Sequence, residues 1–110
     1  MKPIRIIENS WLARIGAKRM RFNRIAMVIG KTIHLYGAPL NVFVNDKRWI
    51  IHELRHIQQY EETGFWKFVY KYTMECIRKG YYNNAYEVDA RACESDETLL
   101  TKYDISRYRQ

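Results

Sequence analysis

Cysteine, proline and acidic residues are scarce in this chain, and no stretch stays apolar for long. Two cysteines, Cys76 and Cys93, among 110 residues are too few for a disulfide scaffold, and they do not form a C-x-x-C pair. Two thiols packed as small apolar groups are expected, with a single disulfide between them as the alternative. Two prolines and five glycines act as punctuation, without repeats or low-complexity segments. No apolar run approaches the length of a membrane span. The first twenty residues are broken by Arg5, Glu8, Arg14, Lys18 and Arg19, so they lack the apolar h-region of a signal peptide. A cytoplasmic location is the resulting expectation. Twelve acids against nineteen Lys and Arg give a net charge of +7, which favours acidic partners. The positive residues gather at Arg14, Lys18, Arg19, Arg21 and Arg24 and again at the C-terminus. No zinc-finger or RRM signature accompanies them, so they are expected to form a solvated basic face and nucleic acid is not the expected partner.

What is present suffices for one compact domain: 47% of the residues are hydrophobic and 15% aromatic. Its core is expected over about residues 25–100, with a polar, basic tail at 101–110. The first part, to about Val44, reads as strand-like. Ile25–Ile29 is a short apolar run, Gly30-Lys31 can form a tight turn, and Thr32–Tyr36 alternates, which together predict a β-hairpin. Ile33 and Leu35 fall on one side and Thr32, His34 and Tyr36 on the other, so His34 is expected on an exposed polar face. Leu40–Val44 reads as a further extended piece.

The second part reads as helical. Asn45 or Asp46 can cap a helix whose apolar stripe is Trp49, Ile50, Leu54 and Ile57, ended by Thr63-Gly64 with glycine in the αL conformation. A second helix is predicted from about Phe65 to Lys79, stopping at Gly80. Its apolar residues run almost all round, leaving a narrow stripe of Lys67, Lys71, Glu75 and Arg78, so it is expected to be buried on most sides. A third is predicted from Asn84 to about Leu100. The fold class is α+β: a small antiparallel sheet or hairpin followed by three helices.

The chemistry lies in His52-Glu53-Leu54-Arg55-His56, an H-E-x-x-H motif that takes two of the three histidines. Four residues of helix bring both imidazoles to one face, one turn apart, within reach of a single Zn²⁺. Glu53 falls beside the metal's open position, while Leu54 and Ile57 point into the core. Gln59, one turn beyond His56, can orient a ligand or line the cleft. Tight binding needs a third protein ligand. The acids available downstream are Glu87 and Asp89, on a segment whose Ala85, Ala90 and Ala92 permit close helix approach. Glu87 can be the ligand, or it can be the capping-box partner of Asn84. Asp89 can be the ligand instead, or can brace a histidine from behind.

The sequences H-E-L-R-H-I-Q-Q and N-N-A-Y-E-V-D-A-R-A together resemble the gluzincin metallopeptidases, most closely the single-domain minigluzincins, over about Ile25 to Glu94. The resemblance implies a zincin-like core of sheet and helices, Glu87 as the third metal ligand, zinc as the cofactor, and hydrolysis of a peptide or protein substrate with Glu53 as general base. Tyr81, Tyr82, Tyr86, Arg91 and His34 are the candidates for stabilising the oxyanion. Strand Thr32–Tyr36 can hold an extended substrate by β-augmentation, and the tail, with Tyr103 and Asp104, can fold over the cleft. Two other readings compete. One is a catalytically silent zinc-binding regulatory domain. The other is a basic nucleic-acid or membrane-surface module built on Phe65-Trp66-Lys67-Phe68-Val69-Tyr70.

Overall fold

The computed structural model describes residues 2–108 and has an α+β architecture. Its strands are β1 (Lys2–Pro3), β2 (Arg5–Ile7), β3 (Ile25–Ile29), β4 (Thr32–Tyr36) and β5 (Tyr103–Asp104). Its helices are α1 (Trp11–Met20), α2 (Leu40–Asn45), α3 (Lys47–Thr63), α4 (Phe65–Asn83), α5 (Ala85–Ala92) and α6 (Leu99–Lys102), with a 3₁₀ turn at Ser106–Tyr108. The hairpin forms as its alternation predicts, with Ile25 opposite Tyr36 and Ile29 opposite Thr32. Strand β2 adds in parallel to the other side of β4, giving the order β2-β4-β3. The sheet is therefore mixed and β4 is its centre. Both edges of β4 are occupied, so it has no free edge for a substrate strand. A separate parallel pair joins β1 to β5.

The two faces of the sheet meet different partners. Ile33 and Leu35 point into the main core, against Phe43, Ile50, Ile51, Leu54 and Ile57. The opposite face, expected to be solvated, is covered by α1 through Ala13 and Ala17 with Ile25, Met27 and Tyr36. His34 is consequently only 8% exposed. Its Nδ1 lies 2.8 Å from Ser10 Oγ, the residue that caps α1. Burial, followed by the charge of Arg5, lowers the pKa of this imidazole below its ordinary value.

Four other elements depart from the sequence reading. Leu40–Val44 is helical, because Phe43 and Val44 turn inward from a short helix entered at Pro39. The predicted third helix is split in two. After Ala92 the Cys93 N–H bonds back to Asp89 and Ala90, and the Asp96 carboxylate accepts from the Thr98 N–H at 3.1 Å, which favours a turn over continued helix. Through Tyr108 the tail packs into the core instead of over the motif helix's histidines. Tyr103 and Ile105 are buried in the main core, Tyr103 donates to Glu61, and Asp104 accepts from Ser106. Helix α4 is the largest departure: of its side chains only Phe68 is buried, while Trp66, Tyr70 and Ile77 are 79%, 63% and 72% exposed. It does break at Gly80, whose φ of 81° and ψ of 170° interrupt the helix. Gly64 ends α3 as expected, but with φ 94° and ψ 147°, extended in ψ and not αL. Both cysteines are free and half-buried. Among the described residues no helix is long and apolar enough to cross a membrane.

This division of exposed and buried apolar residues sets the cost of truncating them. Leu54→Ala should destabilise the protein by about 2–5 kcal/mol, because Leu54 is wholly enclosed. Ile77→Ala should stay within about 0.5 kcal/mol of the parent. Urea unfolding of the two variants measures the contrast, and an equal loss in both would contradict the exposed placement of α4.

Candidate metal centre

The motif helix starts because Asp46 caps it, its carboxylate accepting from the Trp49 N–H at 3.2 Å. From there α3 buries Ile50, Ile51, Leu54 and Ile57 against the sheet. That contact fixes the rotation of the helix and turns His52 and His56 toward α5. Helix α5 is aimed at them by Asn84, which is fully buried. The Asn84 amide oxygen accepts from the Tyr86 N–H at 2.9 Å, while its NH₂ donates to the Tyr72 carbonyl at 3.1 Å. One side chain thus caps α5 and ties it to α4.

Glu87 is on the first turn of α5. Its Oε1 lies 3.0 Å from His52 Nε2 and its Oε2 lies 3.1 Å from His56 Nε2. The three side chains are 12%, 8% and 3% exposed for His52, His56 and Glu87. One donor atom from each lies within 4.8 Å of the other two. Glu87 is therefore not spent on a capping box. Of the three small residues expected to let helices approach, only Ala90 is buried.

Each imidazole is held from behind. His52 Nδ1 lies 2.9 Å from Glu94 Oε2, and His56 Nδ1 lies 2.8 Å from Gln59 Oε1. The Gln59 NH₂ in turn donates to the Tyr86 carbonyl at 3.0 Å and to Asp89 at 2.8 Å. Asp89 also accepts from Arg55 Nε at 2.6 Å. Asp89 thus supports a histidine indirectly, and Gln59 orients one. Backing partners of this kind fix which imidazole nitrogen faces the site. Tyr72 donates its phenol proton to Glu87. Glu94 and Tyr72 carry no pattern of their own in the sequence: Glu94 lies beyond the end of α5 and Tyr72 on a different helix from the motif.

Glu53 is 5% exposed and sits next to this cluster. Burial raises its pKa from an ordinary 4.5 to about 8; the His56 charge pulls it down, and Glu87 and Glu94 push it further up. For Glu87, burial works against the charge, but hydrogen bonds from His52, His56 and Tyr72 prevail and hold it ionised well below the usual carboxylate range. Burial also opposes charge on both histidines, yet their carboxylate partners outweigh it and raise each pKa above 6.5. Of the residues considered for an oxyanion, Tyr81 has its phenol near the carboxylates: burial, then Glu87 and Glu53, raise its pKa well above 10. Tyr82 and Arg91 pair with each other, Arg91 lying over the Tyr82 ring at 3.9 Å. Tyr86 packs edge-on against Phe68, and His34 is beneath α1 on the far side of the sheet.

Two imidazole nitrogens and a carboxylate, converging from two helices, can hold a metal ion. No protein family, curated protein or solved structure matches this chain.

The protonation pattern fixes the sign of a pH dependence. Glu53, His52 and His56 all have raised pKa values, so without metal the native state binds more protons than the unfolded chain from about pH 4.5 to about pH 8. Their contribution is complete below that window and is lost as pH rises through it. Between pH 6 and pH 8 Glu87 is ionised in both states and adds no slope. The metal-free protein should therefore melt at lower temperature at pH 8 than at pH 6, and Glu53→Gln should flatten that dependence. Thermal unfolding in chelator across this range checks both; a Tm that rises with pH would contradict the assignment.

Proposed function

We propose that this protein is a zinc-dependent peptidase of the gluzincin type, with His52, His56 and Glu87 as metal ligands and Glu53 as general base. The observation that carries the proposal is the placement of Glu53. A buried carboxylate with a pKa raised to about 8 lies beside a His-His-Glu cluster, where a site built only to bind metal has no use for it. A carboxylate shifted this way beside metal-binding donors suits acid–base chemistry.

A bound Zn²⁺ supplies Lewis acidity, lowering the pKa of a water toward about 7 and polarising a carbonyl. The chain's own residues supply the rest. Gln59 and Glu94 keep the two Nε2 atoms pointed at the site. With a cation held by His52, His56 and Glu87, Glu53 would be ionised in place of the neutral form that burial alone imposes. Glu53 then takes a proton from water and returns it to the leaving amine. The Tyr72 phenol is spent on Glu87, which leaves Tyr81, whose phenol feels both Glu87 and Glu53, as the donor to the developing oxyanion. An extended substrate would pair with β3, the sheet edge that packs on α3. This role passes to β3 because β4 is enclosed.

Three variants separate the roles. Glu87→Ala should lose zinc, whereas Asp89→Ala should retain it with weakened affinity, since Asp89 acts through Gln59 and Arg55. Glu53→Gln should keep full zinc stoichiometry and lose turnover of a casein or peptide-library substrate by about 10³-fold or more. Metal analysis beside a peptidase assay measures all three. Equal zinc content in the Glu87 and Asp89 variants, or undiminished cleavage by the Glu53 variant, would overturn the reading.

A further inference from the structure

Helix α4 turns a row of large apolar side chains to solvent, away from the metal cluster. At about 100° per residue, Trp66, Tyr70 and Ile77 fall within about 40° of one another around the helix. Lys67, Lys71 and Arg78 form a second row of about the same width beside them, and Phe68, the buried residue, lies on the opposite side. The apolar row is solvent-facing, at 63–79% exposure. No acid occurs between Phe65 and Met74. The first one on the helix, Glu75, is held by Lys79 at 3.3 Å and by the Ala85 N–H at 2.9 Å. Exposed aromatic and aliphatic side chains are otherwise expected singly, not as an ordered row with cations along one flank.

We propose that α4 docks the protein on an anionic membrane surface, with Trp66, Tyr70 and Ile77 entering the headgroup boundary and Lys67, Lys71 and Arg78 facing acidic lipid phosphates. Three observations favour lipid over other partners. Lysine is depleted from protein–protein interfaces, yet two lysines flank this row. Ile77 cannot stack on a base, so the row is poorly matched to single-stranded nucleic acid. Aromatic rings alternating with Lys and Arg on a helix too polar to span a bilayer are the chemistry of interfacial helices. The same helical stretch carries Tyr72, which donates to Glu87, so docking would bring the metal cluster close to the bilayer.

The test is co-sedimentation of the full chain with vesicles of phosphatidylcholine alone and with vesicles containing about 30% phosphatidylserine. Binding should require the anionic lipid. It should weaken about 30-fold in Lys67→Gln/Lys71→Gln, and at least as much in Trp66→Ser/Ile77→Ser. All these positions are exposed, and an unchanged circular dichroism spectrum verifies the fold of each variant. Failure of the folded parent to bind acidic vesicles would overturn the proposal. So would undiminished binding by both variants, self-association lost in the Trp66/Ile77 variant, or tighter binding to single-stranded DNA than to vesicles. None of these readouts depends on metal or on peptide cleavage.

Discussion

The Glu87 carboxylate, facing the Nε2 atoms of His52 and His56 from a different helix, is the contact on which the rest of the site depends. It is nearly excluded from solvent yet ionised, which is costly unless positive charge and hydrogen bonds surround it. Here two imidazoles and the Tyr72 phenol provide them. Remove the carboxylate and the two histidines on α3 become a pair of largely buried bases with nothing to converge on.

Much of the molecule holds that contact in register. The apolar face of α3 locks its rotation against the sheet, Asn84 sets the start of α5, and Arg55, Asp89 and Gln59 bind α3 to α5 through side chains. Polar chains of this kind are high-stakes in a low-dielectric interior, because each member left unpaired costs more than its pairing yields. Among the described residues no buried side-chain donor or acceptor lacks a partner.

The motif helix was legible because its signals are local. A capping acid, a helical apolar stripe and histidines four apart all lie within eighteen consecutive residues, and the hairpin's alternation is just as local. Helix α1 escaped detection because its packing face is made of Ala13, Gly16 and Ala17, while its large residues Trp11 and Ile15 face solvent. A Cβ on Gly16 would meet Met27 Sδ at 2.6 Å, so small size, not hydrophobicity, is what that interface selects. The alternation of β4 alone puts His34 on a polar face, and only the packing of α1 on that face buries it. The outward face of α4 was misread for the converse reason: apolar composition says that a face seeks cover, not that this chain provides it. Glu94 and Tyr72 reach the histidines and Glu87 only through tertiary contact, and no spacing rule along the sequence announces them.

The most direct test of this account is a crystal structure of the zinc-loaded protein with anomalous data collected at the zinc edge. The account predicts a single peak about 2.0–2.2 Å from Nε2 of His52, Nε2 of His56 and a carboxylate oxygen of Glu87. A peak elsewhere on the molecule, or zinc held without Glu87, would contradict it.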